Sequence, residues 1–269
     1  MKRTLTGCAL ASLLLGGPSA AAPEADRPTT VHVNAIRKPE LRKYKSIVAG
    51  LDAFDEFHAL APKVPALQFR VRHRSGITVP DPKEALGVRL EGDGGFVLPI
   101  ALDGARLFTV PRSEAALEAN SELVLNQTRR YYRMVPYIRT PGLPDKVRRL
   151  GDLRLECKVL IGIGKAEIPV LAKLAITGAL RTTDWCGFFD RKDYTFSFTT
   201  DEQVVAAVLR EGERSEELQT EDHSFSVALF EPGWSDDALI ELSFEESMVK
   251  PVTTAALTGT AAETPRTAP

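Results

Sequence analysis

Residues 150–163 constrain this chain more than any other stretch. Leu153, Leu155, Cys157, Val159, Ile161 and Ile163 share one parity, whereas Asp152, Arg154, Glu156 and Lys158 share the other. Period two over that length is the pattern of a strand with one buried face, so the sequence predicts a long strand with Cys157 pointing inward. Residues 140–145, Thr-Pro-Gly-Leu-Pro-Asp, supply a turn before it, and Gly162 and Gly164 close the pattern ahead of an alanine-rich helical segment.

The rest of the chain is read around that strand. Residues 67–72 alternate three apolar with three polar side chains, and further short strand candidates lie at 87–91, 96–100, 106–110, 122–127 and 133–139. Gly92-Asp-Gly-Gly95 and Asp103-Gly104 separate some of them with hairpin chemistry. Alternation returns at 194–199, 203–210, 223–230 and 238–244. Helical spacing is carried by Leu41, Tyr44, Val48, Leu51, Phe54 and His58, with Pro39 placed in the first turn. A second such run is Ile168, Leu171, Ala172, Ala175, Ile176 and Ala179, with Pro169 in its first turn, and Ser113 is placed to cap a turn over 115–118. The expected fold class is α+β, predominantly antiparallel and sandwich-like, with an N-terminal helix and a second helix inserted near residues 167–180.

Residues 1–22 read as a cleaved export signal: Lys2 and Arg3 precede an apolar run over 5–15, then Gly-Gly-Pro and small residues. The apolar run is too short to span a bilayer, which needs roughly 20 residues. A box similar to that of bacterial lipoproteins ends at Cys8, but the apolar run follows that cysteine instead of preceding it, so no lipid anchor is expected there. The expected address is the periplasm or the exterior. The expected organisation is a helix plus sandwich-like region over 31–164, a helix plus antiparallel region packed on it over 165–247, and a disordered Thr-, Ala- and Pro-rich tail over 248–269. Removing the signal leaves Cys157 and Cys186, which are expected to pair as a disulfide in an oxidising compartment.

Chemistry-bearing motifs are sparse. The four histidines show no zinc-ligand spacing and no Gly-x-Ser-x-Gly is present, so no metal and no cofactor are expected. Asp55 and His58 fall one helical turn apart, the spacing that lets a carboxylate orient an imidazole base. Residues 159–165 resemble the phosphate-binding turn of dinucleotide folds, although Glu167 stands where the third glycine is required. Trp185, Trp234, Tyr131 and Tyr132 could supply an aromatic platform for a sugar. The run at 92–98 bears a similarity to the glycine turn and Phe-x-Leu strand of transthyretin-like or immunoglobulin-like envelope modules, which singles out no family.

Charge distribution carries more information than any motif. Residues 129–158 hold nine Lys or Arg against three Asp or Glu, whereas 201–246 hold fourteen acidic residues and two basic ones. That asymmetry predicts either mutual compensation or a basic face made by Arg129, Arg130, Arg133, Arg148 and Arg149. The function expected on these grounds is a non-catalytic binding or interaction protein of the bacterial envelope. Its partner would be an envelope protein or an anionic glycan, with no nucleic acid and no transmembrane segment. The alternative is an envelope hydrolase built on Asp55 and His58.

Overall fold

In the computed structural model, which describes residues 38–79, 85–190 and 193–245, strand and helix alternate in short pieces. The first half contains β1 (Pro39–Lys43), α1 (Tyr44–Phe57), β2 (Gln68–His73), β3 (Val88–Glu91), β4 (Val97–Ile100), β5 (Leu107–Phe108), α2 (Glu114–Glu118), β6 (Glu122–Thr128) and β7 (Tyr132–Tyr137). Then come β8 (Val147–Arg149), α3 (Leu150–Glu167) and α4 (Val170–Leu180). The chain continues through β9 (Phe196–Thr199), β10 (Val204–Glu211), β11 (Arg214–Glu217), β12 (Gln219–Glu221), β13 (Ser224–Val227) and β14 (Leu239–Phe244). The predicted signal and tail lie outside the described residues.

The fold is α+β with antiparallel sheets, as the alternation predicts. Two sheets, ordered β1-β6-β3-β4 and β5-β2-β7, belong to the first half; two more, β11-β10-β14-β8 and β12-β13-β9, draw on the second. Phe69 and Val71 of β2 turn into a core that also takes Tyr44, Ile47, Leu90, Leu123, Leu125 and Met134. A second core gathers Phe198, Leu209, Phe225, Leu229, Trp234 and Ile240.

The organising stretch is not a strand. Residues 150–167 form the 18-residue helix α3. Leu155, Val159 and Ile163 enter the first core, while Leu150, Leu153 and Cys157 enter the second, with Ile161 packed against it. Two residues along a helix rotate a side chain by about 200°, so stripes at 153/157/161 and 155/159/163 lie on nearly opposite faces. Interleaved, those two stripes occupy every odd position and imitate a one-faced strand. The helix is a shared wall between two cores, which no single-face pattern anticipates.

Gly162 serves that wall instead of ending it, together with Gly50 of α1. A β-carbon on Gly162 would stand 3.0 Å from the Ala49 carbonyl oxygen and from Ala53 Cβ, and one on Gly50 would stand 2.7 Å from Ile163 Cγ1. Both glycines therefore let α1 and α3 approach closely. Residues 159–165 are helix interior, so they form no phosphate-binding turn. The helix start is held from the far end of the chain: Leu150 N donates to Ala238 O at 2.8 Å and Gly151 N to Asp236 O at 2.9 Å, satisfying two of the free amides of the first turn.

One other reading needs adjustment. Pro39–Lys43 does not open the first helix but pairs with β6 as β1, because the ladder partner outweighs local helical spacing. The helix begins only at Tyr44. Both cores use α3, and β8 pairs with β14, so elements on the two sides of the expected 164/165 boundary are in contact. β11 and β12 carry polar or charged side chains at every position and give no apolar alternation to read.

Candidate functional site: an arginine-lined groove

Among the described residues, a cluster of arginines gathers along β2. With Phe69 and Val71 buried, the opposite parity puts Arg70 and Arg72 on the outer side, and the strand runs on into Arg74. Antiparallel pairing sets Arg133 of β7 directly across from Arg72. A turn supplies the next guanidinium: Asp103 Oδ1 accepts the Ala105 and Leu107 amides, both at 2.8 Å, and holds Arg106 at φ +62°. Arg106 O then accepts Val71 N at 3.0 Å, tying the turn to β2.

The second half closes the groove with Asp201 and His223. Arg72 Nε donates to Asp201 Oδ1 at 2.7 Å, and Arg70 reaches the other carboxylate oxygen at 3.4 Å. Arg72 and Arg133 also converge on Thr199, donating at 2.7 Å to its carbonyl and its hydroxyl respectively. The open groove has a volume of about 480 Å³ and is lined by residues that include Arg70, Arg72, His73, Arg74, Arg106 and Asp201. Among the described residues, Asp201 is the only carboxylate that pairs with any of these arginines or with Arg133.

Repulsion within the cluster adds to burial in lowering proton affinity. Burial lowers the proton affinity of the Arg133 guanidinium, and the neighbouring Arg72 and Arg74 charges lower it further, against weaker help from Asp201 and Glu40. Burial and then Arg106 hold the His73 imidazole below its ordinary 6.5, with Asp201 opposing. Arg133 Nε and His223 Nδ1 are buried and make no hydrogen bond among the described residues. The arrangement can hold an anion: guanidinium forks match the oxygens of phosphate and carboxylate.

Of the five arginines expected from sequence, only Arg133 joins this cluster. Arg129 and Arg130 are exposed at the β6–β7 turn, where the Arg129 carbonyl accepts Arg74 Nε at 2.7 Å and the Arg130 guanidinium lies 5.4 Å from the Tyr131 ring centre. Arg148 instead pairs with Glu156 at 2.9 Å, and Arg149 bonds Leu60 O at 2.6 Å and Asp237 at 2.9 Å. Those two are engaged in joining parts of the fold. Compensation explains part of the charge asymmetry, because Arg149 and Arg154 pair with Asp237 and Asp236 of the acidic segment. The signal missed in sequence is Arg70-Val-Arg72-His-Arg74, three guanidiniums on one parity of a strand.

Asp55 and His58 do not form a dyad. The Asp55 carboxylate accepts Arg112 Nη2 at 2.7 Å, while His58 Nε2 donates to Val64 O at 2.7 Å and its ring lies against Phe54. No aromatic platform forms either, since Trp185, Trp234 and Tyr132 are buried. Cys157 and Cys186 are paired as a disulfide, with Cα atoms 6.1 Å apart. No described helix is long and apolar enough to cross a membrane. No family model, no curated protein and no solved structure matches the chain.

Proposed function

We propose that this is an exported, non-catalytic binding protein of the bacterial cell envelope, and that it holds a phosphorylated glycan in the arginine groove. The observation that carries this reading is the charge imbalance among the described residues: Arg70, Arg72, Arg74, Arg106 and Arg133 surround or adjoin one cavity, and the only carboxylate paired with any of them is Asp201, held by Arg70 and Arg72. A phosphate group entering beside Arg74 and Arg106 relieves repulsion that Asp201 only partly offsets. The sugar portion gains from the polar edge of the groove, where Ser75 and the glycine backbone at 76 and 104 add hydrogen-bonding groups.

Calorimetric titration with a phosphorylated glycan fragment and its dephosphorylated counterpart, each at low and high salt, tests the reading. The phosphorylated fragment is expected to bind, to weaken with salt, and to lose about tenfold or more in affinity to Arg106→Gln, the equivalent of one charge-assisted hydrogen bond. Equal binding of the dephosphorylated fragment, or no binding of either, would overturn it.

A further inference from the structure

Helix α4 is built inside out. Its 11 residues include no buried side chain, and Val170, Leu171 and Leu174 expose 67%, 81% and 62% of their surface, joined by Ile176. Only the stripe Lys173, Thr177 and Leu180 is partly covered, with Thr177 Oγ1 accepting Trp185 Nε1 at 3.1 Å. A helix docked on a soluble core presents its apolar side inward, whereas this one leaves an apolar face that no described residue covers.

Charge says which partner. No acidic residue occurs between Glu167 and Asp184, whereas Lys173 and Arg181 lie within that interval. The two flanking carboxylates are occupied inside the protein, Glu167 by Arg42 at 2.9 Å and Asp184 by Lys158 at 2.6 Å. The charged residues of the helix and its immediate connections are thus Lys173 and Arg181, with the flanking carboxylates paired elsewhere. A second copy of the chain fits poorly: two such helices, each about 16 Å long, bury far less than the roughly 1,200–2,000 Å² of a stable interface, and they bring like charges together. A bilayer needs no large matched surface, only apolar side chains and cations long enough to reach phosphates.

We propose that α4 seats the protein on an anionic phospholipid surface, with Val170, Leu171 and Leu174 entering the boundary between headgroups and acyl chains and with Lys173 and Arg181 meeting lipid phosphates. The helix lies in the surface plane, because 11 residues cannot cross a hydrocarbon core that needs roughly 20. The inference is independent of the arginine groove, which is built from other elements.

Hydrogen–deuterium exchange on the protein, alone and with vesicles, reads α4 directly and is blind to any other segment that touches lipid. Vesicles of pure phosphatidylcholine and of an equimolar phosphatidylcholine–phosphatidylglycerol mixture are compared. Slowed exchange at 170–180 is expected with the mixture and less with the neutral lipid. Leu171→Glu combined with Leu174→Glu is expected to abolish that protection and to lower vesicle-bound protein about tenfold or more, while leaving thermal unfolding unchanged because neither side chain is buried. Lys173→Gln with Arg181→Gln should reduce binding to the anionic vesicles alone. Unchanged exchange at 170–180, undiminished binding of the Glu variant, or protection that grows with protein concentration without lipid would overturn the proposal, the last assigning the face to a second copy.

Discussion

Leu153 and Leu155 are two residues apart on α3, both fully buried, and belong to different hydrophobic cores. Because one rigid helix lines both cores, neither can lose its packing without disturbing the other. Leu153→Ala and Leu155→Ala are each expected to destabilise the protein by about 2–5 kcal/mol. Urea unfolding should remain one transition in each variant, with tryptophan fluorescence, which reports Trp185 and Trp234, coinciding with far-ultraviolet circular dichroism. Separate transitions would mean that the two cores are independent.

Cys157 and Cys186 close a loop of 29 residues between α3 and the segment beyond α4. Mass spectrometry of unfolded, non-reduced protein should find neither thiol open to alkylation. Replacing both cysteines by serine is expected to lower unfolding free energy by about 3–4 kcal/mol in the chain-entropy model, read as a lower urea midpoint at similar slope.

Asp152 is buried and clamps the turn before β8. Its Oδ2 accepts Thr140 N at 2.6 Å and its Oδ1 accepts the Thr140 hydroxyl at 2.7 Å. Asp152→Ala leaves a buried amide without an acceptor, so a loss of about 1–3 kcal/mol is expected. Asp152→Asn keeps one carbonyl acceptor and should lose less, both measured by chemical denaturation.

His73 predicts an acid sensitivity of definite sign. Burial and Arg106 keep its folded-state pKa below the ordinary 6.5. As pH falls below 6.5 the unfolded chain takes up this proton before the folded one, so stability decreases across the window down to the lower folded value and is level above it. His73→Gln is expected to flatten that part of the stability–pH curve measured by urea midpoints. A phosphate bound in the groove favours the imidazolium, so its affinity should rise as pH falls through the same window.

What the sequence determined by itself is the antiparallel, α+β character of the chain. Strands such as β2 and β7 bury one face against one core, and their period-two alternation survives in the residue order. Ser113 likewise announces α2, because a cap is a local bond, here from Ala116 N to Ser113 Oγ at 3.2 Å. Two things were decided only in three dimensions. Whether 150–163 is a strand with one buried face or a helix with two depends on a second core existing behind it, and that core is assembled from residues 186–242, far along the chain. The arginine groove depends on the β2–β7 register, the 103–107 turn and the approach of Asp201, which unite side chains up to 131 positions apart by the difference between Arg70 and Asp201. Local spacing records how a residue meets its own element; it does not record how many surfaces that element will face or which distant charges will meet it.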